Sequence, residues 1–231
     1  MRETQSATRE TGPVANRSNR IVRGLAVVAS AGPVILIALS VILGVLWDGY
    51  DPIRDTQSEL GAVDSPFRHA MNFGGFFVLG VAILAFAAIY ALALPRTFVR
   101  SVVVLLLLVG GVGMAAVAFF PCDAGCVDVT SVGRTHSVLS APGAIGLPGA
   151  ALLSAPLFRT TTLFGVRWQF VSFWIGLLSL ASGPVISLEL FEGGLGLLQR
   201  VAMWPPLLWM SAVSWRIGTA SAAGRLHGSD G

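Results

Sequence analysis

Long uncharged apolar runs, separated by short polar breaks, dominate the chain. Gly24–Leu46, Ala70–Pro95, Ser101–Cys122, Ser137–Phe158 and Trp168–Leu188 contain no Asp, Glu, Lys or Arg. A bilayer core about 30 Å thick takes roughly 20 helical residues at about 1.5 Å each. Each run meets that length. A sixth, Val201–Trp215, lies between Arg200 and Arg216. It reaches span length only if it starts near Gly194 and carries Arg200 in its first turns. The pattern predicts an all-α integral membrane bundle of six transmembrane helices, at about 24–46, 66–95, 101–121, 137–158, 168–190 and 197–215. No run of ten residues alternates apolar and polar, which argues against a membrane β-barrel. Residues 1–20 are polar and read as a disordered cytoplasmic tail. Residues 21–217 form the membrane domain, and 218–231 a second cytoplasmic tail.

Composition removes the soluble alternatives. Hydrophobic residues make up 54% and charged residues 12%, against about 25% charged in a soluble domain. No lysine is present, a usage that suits a GC-rich bacterial genome. No basic cluster interleaved with aromatics marks a nucleic-acid surface.

Arginine placement sets the expected orientation. With the N-terminus inside, the cytoplasmic segments hold Arg2, Arg9, Arg17, Arg20, Arg23, Arg96, Arg100, Arg159, Arg167, Arg216 and Arg225, eleven in all. The outer segments hold four, Arg54, Arg68, Arg134 and Arg200. That is the positive-inside sense. Nine of the twelve acids fall on the other side, all but Glu3, Glu10 and Asp230. The expected location is the cell (inner) membrane of a bacterium, with both termini cytoplasmic and the lipid bilayer as partner.

The polar chemistry collects in the outer segments. In the first, Asp51 and Pro52 are expected to open a short helix that Gly61 ends, with Asp55 and Glu59 on one face. Ser65 and Pro66 then start the second span, with His69, Asn72 and Phe73 on one side of it. Pro121 stops the third. Cys122 and Cys126 follow in an outer loop, where an oxidising compartment permits a disulfide. Asp123 and Asp128 flank them, and Arg134 and His136 lead into the fourth span. Glu189 ends the fifth, and Gln199 with Arg200 opens the sixth.

Taken in order, Ser58–Ala62 (Ser-Glu-Leu-Gly-Ala), Asn72, Phe120–Asp123 (Phe-Pro-Cys-Asp), His136 and the Gln199–Arg200 pair resemble domain-of-unknown-function family 998 of prokaryotic membrane proteins. The resemblance runs from about Leu25 to Trp215. It implies a six-helix integral membrane protein and carries no activity.

Each signal has a functional and a structural reading. His136 with Asp123, Asp128 and Glu59 offers nitrogen and oxygen donors to a divalent ion, yet no compact HxxxH spacing is present. Its structural reading is a histidine at a helix start bonding a loop carbonyl. Asp55 and Glu59 are either an acid–base pair or a solvated face. Arg200 either pairs with Glu189 inside the bundle or extends to the headgroups. Gly110, Gly111, Gly113 and Gly146 permit close helix approach. Pro142, Pro148 and Gly183-Pro184 are expected to bend spans four and five. Trp47, Trp168, Trp204, Trp209 and Trp215 suit interfacial anchoring.

Three functions fit. The first is a non-enzymatic membrane component with a polar cluster at its outer face. The second is an outer-leaflet enzyme acting on a lipid or apolar substrate, with Glu59, Asp123, His136 and Arg200 as catalytic candidates and Ser58, Asn72, Glu189 and Gln199 in support. The third is a small transporter, against which stands the lack of charge near the centre of any span. No cofactor and no definite metal set is implied. Convergence of the four candidates would favour the enzyme.

Overall fold

A computed structural model describes residues 13–187 and 193–223, with side chains described for 17–183 and 193–223. The described residues form six long helices and no strand: α1 (Pro13–Leu46), α2 (Val78–Ala93), α3 (Phe98–Val117), α4 (Ser131–Thr160), α5 (Val166–Ser187) and α6 (Leu195–Ala222). A wider, π-helical stretch, Ala70–Phe77, runs directly into α2. Short 3₁₀ turns at Gln57–Gly61 and Ala124–Cys126 interrupt the loops after α1 and α3.

Each helix packs on its neighbours in sequence, and α6 returns to α1, so the bundle closes in chain order. Contacts of α6 with α2 and α4 fill the middle. The core is aromatic there. Phe86 meets Trp209 edge-on at 5.7 Å, and Trp209 stacks on Phe158 at 6.2 Å. Buried Tyr90 shares a 2.6 Å hydrogen bond with Ser154. Small residues let helices approach, as expected for α3 and α4. A side chain at Gly113 or Gly146 would press on the carbonyl of Leu139 or Leu106, and one at Gly110 on Pro142. Apolar residues such as Val45, Phe98 and Leu178 cover the outside.

Four helical segments are long and apolar enough to cross a membrane: Arg17–Leu46, Ala70–Ala93, Phe98–Val117 and Ser131–Thr160. The other two predicted spans form as helices, α5 of 22 residues and α6 of 28. Polar groups in these two helices include Arg167, Gln169 and several serines in α5, and Gln199, Arg200 and Arg216 in α6.

Several boundaries differ from the sequence reading. α1 begins at Pro13, so the polar stretch to residue 20 is not all tail. Proline is favoured in a helix's first turn, and the extension is held: Val22 is buried and Ser221 of α6 bonds Asn19. α6 likewise runs past residue 217 to Ala222, because Ile217, Ala220 and Ser221 pack inward. α3 ends at Val117, ahead of Pro121, in a tight turn closed by Phe119 and Phe120 amides. α4 starts at Ser131, earlier than 137, because the Thr130 hydroxyl accepts the Gly133 amide and caps it. It continues unbroken through Pro142, Pro148 and Pro156.

Candidate functional site

The loops after α1 and α3 and the start of α6 are tied together over one end of the bundle. The Val63 amide donates to Cys122 O at 3.0 Å, joining the first loop to the second. The Gly196 and Leu197 amides, free at the N-terminus of α6, donate to Arg54 O and Ile53 O at 3.0 and 2.9 Å. Gly196 is required there, because a Cβ would collide with the carbonyls of Asp55 and Pro52.

Arg200 sits under this lid, only 8% exposed. Its Nη1 donates to Pro52 O, Asp55 O and Gly196 O at 2.8, 3.0 and 2.9 Å. Its Nη2 donates to the Tyr50 hydroxyl. That hydroxyl donates onward to Thr56 O at 2.9 Å. Burial raises the Tyr50 pKa despite the nearby guanidinium. Arg200 is therefore folded under the lid and pairs with no carboxylate among the described residues. The partner expected for it, Glu189, lies outside the described residues. Beside it, Gln199 Oε1 accepts the Gln57 amide at 2.7 Å, and Gln57 Oε1 accepts Trp204 Nε1 at 2.9 Å.

The short helix expected from Asp51 to Gly61 is broken in two. Asp55 Oδ2 accepts the Asp51 amide at 2.7 Å, and the turn closes there. Thr56 is extended, at φ −69° and ψ 157°. The new turn begins with Glu59 Oε1 accepting both the Thr56 amide and hydroxyl, at 2.8 and 3.0 Å. Asp55 and Glu59 thus belong to separate turns and do not share a helix face. Burial holds the Glu59 carboxyl above its usual range, against the opposing Thr56 bonds.

Asn72 also departs from expectation. It is buried at 3% exposure while His69 and Phe73 are exposed and stack together. The π-helical widening changes the register on which a shared side was predicted. Asn72 Nδ2 donates to Gly61 O at 3.0 Å, and its Oδ1 has no partner among the described residues. That contact leaves no room for a side chain at Gly61.

Asp123 staples the second loop. Its Oδ2 accepts the amides of Val129 and Thr130 at 3.0 and 2.7 Å, and its Oδ1 accepts the Thr130 hydroxyl at 2.8 Å. The Thr130 bonds hold its carboxyl below the ordinary range. Cys122 and Cys126 are joined, with an S–S distance of 2.05 Å. His136 lies in the second turn of α4, 4% exposed, with Nδ1 2.8 Å from Phe120 O and Phe76 edge-on. That is the loop-carbonyl arrangement.

Glu59, Asp123, His136 and Arg200 are in one end of the bundle, but no hydrogen bond or ion pair among the described residues joins any two of them. A 190 Å³ hollow borders Glu59, and a separate 520 Å³ cavity borders Arg200; neither includes Asp123 or His136. Among the described residues no three His, Cys, Asp or Glu side chains form a metal-holding group. A third cavity, of 170 Å³, lies within the bundle between Leu36, Phe76, Met114 and Leu207, with Ser58 and Gln199 on its wall.

Sequence reasoning missed Tyr50, Gln57 and Thr130. Thr130 had a readable signal, a threonine three residues before Gly133 and ahead of a long apolar run. Tyr50 and Gln57 act through contacts distant in sequence, which no local pattern reports. Trp209 was misplaced: it is 2% exposed, and its Nε1 donates to Ser172 at 2.8 Å, so it is core. Its indole has found a partner inside the bundle instead of at the interface.

Apolar helices of span length and a closed bundle define a multi-pass helical membrane protein. Residues 30–216 match the family described as "Protein of unknown function (DUF998)", and the chain belongs to that family. No curated protein and no solved structure matches it.

Proposed function

We infer that the chain is a six-span cell-membrane protein with both termini in the cytoplasm, and that its lid faces outward as a non-catalytic recognition surface. α5 and α6 complete the count: at about 1.5 Å per residue each exceeds a 30 Å core, and both are integral to the closed ring of helices. The eleven-to-four division of arginines supports the orientation. Arginines at the opposite end suit a headgroup interface: Arg100 donates to Ala91 O at 2.8 Å, and Arg216 lies over the Trp168 ring at 5.7 Å.

The observation that carries the non-catalytic reading is the binding of Arg200 to lid carbonyls. Its Nη1 bonds tie one loop to one helix, a structural task for the cation, and no acid or base side chain is paired with it among the described residues. Glu59, Asp123 and His136 are similarly tied to partners of their own. Membrane-impermeant thiol labelling tests the orientation, using Asp64→Cys in the lid and Arg96→Cys between α2 and α3, both exposed positions. Labelling of Asp64→Cys in intact cells, with Arg96→Cys labelled only after permeabilisation, is the expected result. The reverse pattern overturns the orientation.

A further inference from the structure

The 520 Å³ cavity between the end of α1, the first loop and α6 joins two unlike walls. One is apolar: Val41, Val45, Trp47 and Trp204. Val41 and Val45 are 49% and 81% exposed on the outside of α1, so the cavity opens sideways from the bundle. The other wall is Arg200 with Tyr50. A guanidinium has five N–H donors. Arg200 Nε and one Nη2 hydrogen find no acceptor among the described residues, and its four acceptors are all uncharged. A buried cation held only by neutral groups favours an anion.

The rim adds a second charge of opposite sign. Asp48 lines the cavity mouth and is exposed. Across Trp47 and Tyr50, the adjoining 190 Å³ hollow is bordered by Asp48, Asp55, Glu59 and Asp64. A head group that ends in a second negative or neutral part meets repulsion or nothing there, while an ammonium is attracted. The volume lies within the roughly 300–1,000 Å³ range of ligand pockets.

We propose that this cavity binds a zwitterionic phospholipid of the outer leaflet, its phosphate on Arg200, its ammonium toward Asp48 and the acidic hollow, and its upper chain along Val41, Val45 and Trp204. The proposal rests on the outward orientation of the lid. The lateral opening on an apolar helix face selects a lipid over a free phosphate.

The test uses the full chain, purified in detergent and stripped of lipid, with Tm read by tryptophan fluorescence. Dioleoylphosphatidylethanolamine should raise Tm by about 5 °C or more at a hundredfold excess over its Kd. Dioleoylphosphatidylglycerol should give less than half that rise, and tail-free phosphoethanolamine none. Arg200→Gln should abolish the rise. Should that variant not fold, Val41→Trp fills the apolar half from the lipid-facing side and must abolish it too. Phosphatidylglycerol or phosphoethanolamine matching phosphatidylethanolamine overturns the proposal, as does an unchanged rise in Val41→Trp. Asp64→Cys labelling reports orientation independently, so a missing lipid response beside correct labelling sinks the lipid site alone.

Discussion

Tyr50 and Arg200, 150 positions apart, form a relay: the guanidinium donates to the phenol oxygen, and the phenol donates to Thr56 O. The ring also lies 5.7 Å from the guanidinium carbon. Removing the guanidinium leaves the phenol oxygen and two lid carbonyls short of a donor, so Arg200→Ala should cost about 3 kcal/mol or more. Tyr50→Phe removes one donor and one acceptor and should cost about 1–2 kcal/mol. In a double-mutant cycle the pair should couple by about 0.5–3 kcal/mol. Detergent-solubilised thermal stability of the wild type and three variants measures this. Additive losses would show that the two side chains act separately.

Glu59 and Asp123 should respond to pH with opposite signs. The folded Glu59 carboxyl lies above its ordinary 4.5, chiefly through burial. It holds a proton more readily folded than unfolded, so its contribution is complete below 4.5 and is lost as pH rises through the raised value. Asp123 lies below its ordinary 3.8, chiefly through the Thr130 bonds. Its contribution is present above 3.8 and is lost as pH falls through the depressed value. Glu59→Gln keeps an acceptor for Thr56 and should flatten the upper step. Asp123→Asn should be weaker already at neutral pH and flat in acid. Tm against pH for the three proteins checks both signs.

These two residues also mark how far the chain could be read without its structure. Helix existence was readable everywhere, because long apolar runs leave the backbone few ways to satisfy its polar groups in a membrane. The small residues that seat α3 on α4 were readable for the same local reason. The lid was not. Thr56, extended between two turns, splits a plausible helix, and its cause is a reciprocal bond to Glu59 with a pull on Asp55 from Asp51. Arg200 was identified as exceptional from its place in a span, but its partners are mostly backbone carbonyls, which carry no sequence signature. Asp123 and His136 were flagged by residue type, and only geometry shows that each closes a local contact.

The disulfide should matter modestly. Cys122 and Cys126 are separated by four positions, and closing so small a loop contributes about 2 kcal/mol in the chain-entropy description. Reductant should therefore lower Tm by roughly 4–8 °C for a chain of this size. Thiol alkylation should be negligible before reduction and complete after it. A Tm unmoved by full reduction would show that Asp123 and the Val63–Cys122 backbone bond hold the loop unaided.

Asp123 and Gly133 face each other across the start of α4. A Cβ built on Gly133 overlaps the Asp123 carboxylate, which is pinned by three bonds. The loop and the helix start are thus fitted to one another: Thr130 supplies the cap to Gly133 and also two of the bonds to Asp123. Gly133→Ala should raise helix propensity yet destabilise the chain by about 1–3 kcal/mol, because the added methyl must displace the carboxylate. Asp123→Ala should destabilise through three unanswered donors by a similar or larger amount. Combined, the two should cost less than their sum, since without the carboxylate the methyl has space and alanine is the better helix residue. Thermal unfolding of both single variants and the double variant gives the coupling. A double variant as unstable as the sum would mean that Gly133 is required by the backbone of the cap and not by the carboxylate.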